Sequence, residues 1–123
     1  MSGIDTFKIK KLFKEKKFPE TILEIESSTT EQNRSSQLYN LLGVCRASKK
    51  GRTIKDVVNA FNDFEIAFNK DNLGEISLES LCNYIKLCAE MGRRESDLVN
   101  NMLIAEKMYL SAEKKFFNDI RFI

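Results

Sequence analysis

The sequence contains no histidine and no tryptophan. Without histidine there is no Ser-His-Asp or Cys-His nucleophile pair, no HExxH zinc site, and no side chain whose unperturbed pKa lies near neutrality. Catalysis would have to rest on carboxylates, lysine or cysteine, and no enzymatic activity is expected. The three cysteines, Cys45, Cys82 and Cys88, form no CxxC pair, and an odd count in a chain of this length implies reduced, buried thiols rather than a disulfide framework. Cys82 and Cys88 are six residues apart. That exceeds one and a half helical turns, so they do not share a face as metal ligands would. No metal or cofactor is expected. No apolar run approaches the roughly 18 residues a membrane span requires. The first residues are charged and mixed rather than a signal core, which makes the cytoplasm the expected location.

What is present is ordinary globular composition: 123 residues, 42% hydrophobic and 31% charged. That length suits one domain, taken as residues 1–123. Twenty basic residues against 18 acidic ones leave a net charge of +2, too small to imply nucleic acid as an obligatory partner.

Proline occurs once, at Pro19, and Gly51, Gly74 and Gly92 each follow an amphipathic stretch, where a helix ends most easily. A first helix is expected from about residue 3 to 17, opened by Ser2 and Asp5 as a capping box, with Ile9, Leu12 and Phe13 on its apolar face. Pro19 opens a short second helix, 19–26, burying Ile22, Leu23 and Ile25. The polar run 27–35 reads as a loop. A third helix, 34–49, carries Leu38, Leu41, Leu42 and Cys45. Thr53 and Asp56 signal a capping box for a fourth, in which Val57, Ala60, Phe61, Phe64, Ala67 and Phe68 recur at steps of three and four. Ser77 is expected to cap a fifth, with Leu78, Leu81, Cys82, Ile85, Cys88 and Ala89 as its stripe. The sixth begins near Glu95 and repeats through Leu98, Met102, Ala105, Tyr109, Ala112, Phe116 and Ile120, with a break near Ser111 as the alternative that would make seven helices. No segment alternates with a period of two.

Six or seven helices with short connections imply antiparallel neighbours, as a closed bundle or a solenoid. Leu42 and Gly43, followed by Ala60, Phe64 and Ala67, resemble a tetratricopeptide repeat, which pairs Leu-Gly on its first helix with small, aromatic and small residues at spacings of four and three on its second. Ile85 with Met102 and Ala105 gives a weaker later unit, and Ile9 lies 34 residues before Gly43, the repeat length of that family. The units fall at about 3–30, 34–71 and 77–111, with an extension at 112–123. Arg46 stands where the family has an aromatic residue, and the proline that usually closes a unit is missing. The resemblance implies an all-α fold, antiparallel hairpins stacked as a short right-handed superhelix. It also implies a scaffold whose first helices line a groove for an extended peptide or a helix, here Lys10, Gln37, Asn40, Val44, Ala47, Ser48, Glu79, Cys82, Lys86, Ala89 and Glu90. Members that grip chaperone tails use Lys, Asn and Lys where this chain has Thr6, Leu41 and Glu79, so chaperone-tail binding is not expected.

Two other surfaces compete for a role. Lys8, Lys10, Lys11, Lys14, Lys16 and Lys17 form a basic first helix that could contact nucleic acid or an anionic membrane. Phe116, Phe117, Ile120, Phe122 and Ile123 make the C-terminal end too apolar to leave in water, so it either caps the last hairpin or buries against a second copy as a homodimer. The carboxylates Asp63 and Glu65 read as solvated.

Overall fold

A computed structural model describes residues 6–91 and 98–120, the last six of these and residues 98 and 99 by their backbone alone. Six helices follow one another: α1 Thr6–Lys14, α2 Phe18–Ser28, α3 Ser36–Ser48, α4 Ile54–Lys70, α5 Glu75–Met91 and α6 Leu98–Ile120. Among the described residues there is no strand, and no helix is long and apolar enough to cross a membrane. Each helix packs on the next, and α3 also touches α5, two elements on.

Local chemistry sets the boundaries. The α1 helix stops at Lys14 rather than 17 because Lys16 turns left-handed at φ 60°. The Lys17 amide then donates back to the Leu12 carbonyl and Lys16 to Phe13, which closes the helix end. The residues expected to cap its start lie outside the described residues. Proline sits in the first turn of α2. Ser35 accepts from the Leu38 amide to start α3. Both halves of the capping box expected at α4 are present, Thr53 Oγ1 accepting from Asp56 N and Asp56 Oδ2 accepting from Thr53 N at 2.8 Å. At α5 the expectation is corrected. The helix begins at Glu75, and the Asp71 carboxylate accepts the Ser77 amide at 2.9 Å, while Ser77 Oγ donates to the Phe68 carbonyl and so ties α5 to the end of α4. The left-handed residues of this turn are Asn72 and Leu73. The α6 helix is continuous through Ser111.

The main core joins α4, α5 and α6 through Val57, Ala60, Phe61, Phe64, Phe68, Leu81, Tyr84, Leu87, Ala105, Met108 and Ala112. A smaller one, Ile9, Ile25, Leu38 and Leu42, joins the first three helices. Gly43 is buried beneath Phe64, and a Cβ there would overlap the ring, reaching within 2.6 Å of its Cδ1. Ala60 and Ala67 are wholly buried on either side of that ring along α4.

Three expected core faces and one expected solvated carboxylate are corrected. Leu23 is exposed. On α5 the buried stripe is Ser77, Ser80, Leu81, Tyr84 and Leu87, so Leu78, Cys82, Ile85 and Ala89 point outward. On α6 the inner face is Ala105, Met108 and Ala112, while Met102 and Tyr109 are each 51% exposed. Asp63, read as solvated, is buried at 5% exposure. Ile85 and Met102 therefore do not fill the packing role that the resemblance implied. The inward turn of α5 is set by Tyr84, whose ring meets Phe61 at 4.8 Å between centroids and whose hydroxyl accepts from Asn101 Nδ2 at 2.9 Å.

The contact at Gly43 makes a prediction. Alanine is the better helix former by about 1 kcal/mol, but here its methyl meets a packed ring. Gly43→Ala should lower stability by about 1 to 3 kcal/mol in urea unfolding, and adding Phe64→Leu should recover part of that loss.

Candidate functional site

Between α3 and α5 lies a cleft of about 340 Å³, lined by Val44, Ala47, Ser48, Phe64, Asn83, Lys86, Leu87 and Glu90. Its floor is apolar because Val44 and Ala47 fall on the side of α3 next to the Gly43 contact, and Phe64 reaches up between the helices. Lys86 and Glu90, one turn apart on α5, supply both charges at the rim. Arg52, from the link between α3 and α4, closes one end. Its Nη1 donates to the Ala47 carbonyl at 2.6 Å and pairs with Glu90 at 3.3 Å.

Val44, Ala47, Ser48, Lys86 and Glu90 thus come together. Glu79 and Cys82 line a shallower neighbouring depression with Glu75, Leu78 and Asn83. Gln37 and Ala89 are exposed but line neither hollow, and Lys10 is exposed on α1, away from both. Asn40 is corrected: it is 9% exposed, and its Oδ1 accepts from Ser80 Oγ at 3.1 Å and Asn83 Nδ2 at 3.0 Å. It braces α3 against α5 and orients Asn83, which the sequence reading did not include and which borders both hollows. Phe116, Phe117, Ile120, Phe122 and Ile123 lie where no side chain is described.

Of the three thiols expected to be buried, Cys45 is and Cys82 is not. Cys45 is buried, and burial pushes its thiol up to about 12; Cys88 is half-buried and its thiol is also raised by burial. Cys82, expected in the core, is exposed because α5 turns Ser80 and Leu81 inward instead. No cluster of metal-ligating side chains occurs among the described residues. Of the six lysines expected on a basic first helix, Lys8 on α1 pairs with Glu24 at 3.1 Å, and Lys17, beyond the helix end, with Glu15 at 3.5 Å, which ties two of the six into the chain's own surface.

On the opposite side of α3, a polar cleft holds Glu26, Arg34, Tyr39, Arg46, Asn59 and Asp63. Arg46 bridges three helices, with Nη1 on Asp63 Oδ2 at 2.5 Å and Nη2 on Glu26 Oε2 at 2.6 Å. Arg34 is 8% exposed, donates from Nε to Thr29 Oγ1 at 2.8 Å and lies over the Tyr39 ring. Among the described residues no buried side-chain polar atom lacks a partner, so this cleft reads as a satisfied brace rather than a binding site. Burial pushes the Asp63 carboxyl up to about 6, against the opposing pull of Arg46.

No protein-family model, curated protein or solved structure matches the chain. The tetratricopeptide likeness therefore stands on the chain's own residues, Leu42, Gly43, Ala60, Phe64 and Ala67 foremost.

The raised Asp63 value fixes a pH dependence. The folded state holds this proton more tightly than the unfolded chain, so the contribution from Asp63 is complete below the ordinary value of 3.8 and is lost as pH rises through about 6. The stability of the wild type relative to Asp63→Asn should fall between pH 4 and pH 7 by up to about 3 kcal/mol. Urea unfolding at several pH values checks this, and a difference that grows with pH would mean that the Arg46 pair outweighs burial.

Proposed function

We propose that the chain is a non-enzymatic protein-interaction scaffold, a short right-handed tetratricopeptide-like superhelix that takes an extended peptide or a helix in the cleft between α3 and α5. The observation that carries this reading is the cleft itself. It has an apolar floor of Val44, Ala47 and Leu87, an oriented amide at Asn83, and both charges at the rim on Lys86 and Glu90. Apolar surface with a few placed polar groups is the usual composition of a recognition groove. The alternation of packing supports the superhelix, since α3 touches both α4 and α5, as the first helix of one hairpin would touch its own partner and the next hairpin's first helix. The close Gly43 and Phe64 contact supports it too. The three unpaired cysteines fit a reducing location, and the cytoplasm is the address we propose.

Mechanistically, a bound segment would lay one or two apolar side chains on Val44 and Ala47. Its backbone would exchange hydrogen bonds with the Asn83 amide, which Asn40 already holds in place. That preorganisation spares the ligand an ordering cost. The rim charges then select against sequences with like charge at the same level.

The test is selection from a displayed peptide library, followed by titration of the selected peptide. Val44→Arg should weaken binding at least tenfold without changing helicity, and amide shifts should concentrate at Val44, Ala47, Asn83 and Lys86. Affinity should change little between low and high salt. If the chain instead binds RNA or anionic vesicles with a steep salt dependence that Lys10→Glu and Lys14→Glu abolish, the lysine-rich first helix carries the function.

A further inference from the structure

The cleft between α3 and α5 and the shallower depression beside it meet at Asn83, which borders both. Together they make one furrow along α5, and the charges in it are unevenly partnered. Glu90 is held by Arg52 at 3.3 Å, so its charge is answered within the chain. Lys86, one turn before it, makes no ion pair among the described residues, and neither does Glu79. Both side chains are exposed.

These two charges lie on one stripe of α5. Glu79 and Lys86 are seven residues apart, which is about two turns of helix and about 10 Å of rise. Glu79 lines the depression with Leu78 and Cys82, and Lys86 lines the cleft with Val44 and Ala47. Glu75 also lines the depression, but a carboxylate in the first turn of α5 is accounted for by the positive end of the helix. Glu79 has no such account. The residues three and four positions to either side of it are Glu75, Ile76, Cys82 and Asn83, and no cation lines the depression.

The complement of this furrow carries a carboxylate for Lys86, an apolar side chain for the floor and a cation for Glu79. Glu79 disfavours an all-acidic segment, and Lys86 disfavours an all-basic one. Shape selects an extended chain. Asn40 Oδ1 accepts from Ser80 and Asn83 at 3.1 and 3.0 Å, so α3 and α5 are in direct contact beneath the furrow. A seam between touching helices admits side chains more readily than a helix about 10–12 Å across. In an extended chain, at about 3.1 to 3.4 Å per residue, the distance from Glu79 to Lys86 corresponds to three residues.

We infer that the ligand of the cleft is an extended peptide bearing an acidic and a basic residue three positions apart, the acidic one on Lys86 and the basic one on Glu79. An apolar side chain next to the acidic residue lies on the floor formed by Val44 and Ala47. Asn83, midway between the two charges along α5 and held by Asn40, meets the peptide backbone between them. This rests on the proposed use of the cleft as a peptide groove and adds the charge pattern that the peptide carries. Both ion pairs form at an exposed surface, so they decide which sequence binds more than how tightly it binds. They also fix its direction, because a peptide with the two charges exchanged would have to lie the other way round.

The experiment is charge reversal on the full chain against a library of random displayed peptides. Peptides selected by the wild type should be enriched in an acidic and a basic residue three apart, in one order. With such a peptide, Lys86→Glu and Glu79→Lys should each weaken binding about tenfold while circular dichroism stays unchanged. Reversing the acidic residue of the peptide should restore binding to Lys86→Glu alone, and reversing the basic residue should restore it to Glu79→Lys alone. The double variant, used for a fresh selection, should choose the same spacing with the two charges exchanged, and Lys10→Glu should change none of this. Selected peptides that Val44→Arg weakens but that carry no charge pattern would overturn this inference and leave the cleft reading in place, as would a loss at Lys86→Glu that the reversed peptide does not restore. Failure to select any peptide, or selected peptides that Val44→Arg does not weaken, would overturn both.

Discussion

The arrangement of helices depends on one close approach, the Phe64 ring lying against the backbone of α3 at Gly43. Because no side chain stands at that point, the ring can enter the space between α3 and α4, and a single methyl would displace it. Interiors this tightly packed do not deform continuously, so the contact sets the spacing of the hairpin. Ala60 and Ala67, one turn before and after along α4, keep the same approach open over several turns. The ring also forms part of the floor of the cleft between α3 and α5. One residue thus fixes a helix pair and supplies apolar surface to the hollow beside it.

A second constraint acts on the other side of α3. Where the tetratricopeptide repeats that the sequence resembles carry an aromatic residue, this chain carries Arg46, and its guanidinium reaches Glu26 on α2 and Asp63 on α4. An aromatic side chain would join those helices by area alone. The guanidinium joins them by direction, since its planar donors must meet two carboxylates at once. The cost is the desolvation of Asp63, which its raised pKa records. Asn40 does comparable work between α3 and α5, with its one oxygen taking donors from Ser80 and Asn83. The stack is therefore held by shape at Gly43 and by directed polar contacts on either side of it.

The sequence made the helices legible and left some of their rotations obscure, for a physical reason. A period near 3.6 identifies a helix, and the Thr53 and Asp56 box or the Pro19 position locates its start. Rotation is a different matter when a helix is apolar on two sides. On α5, Leu78, Cys82, Ile85 and Ala89 form as regular a row as Leu81, Tyr84 and Leu87, and counting apolar residues cannot choose between them. The choice is made by Ser77 and Ser80, which are wholly buried because Phe68 and Asn40 accept their hydroxyls, and those acceptors lie on other helices. The Arg46 and Asp63 pair was equally hidden, with its partners 17 residues apart on two helices. The cleft was partly legible, because the tetratricopeptide resemblance points to Val44, Ala47 and Ser48, which line it. Asn83 was not, since nothing in its own neighbourhood indicates that Asn40 aims it.

The two surfaces left open by the stack are on different helices and can be occupied together. The cleft lies between α3 and α5, and an exposed apolar stripe, Met102, Leu103, Tyr109 and Leu110, lies on the side of α6 away from α5. The helix between them, α5, keeps the two apart: its Asn83 and Lys86 reach the cleft, while its Leu81 and Tyr84 are buried in the core that carries α6. Selectivity in the cleft then rests on the few side chains it presents, a modest apolar floor, one held amide and one charge of each sign.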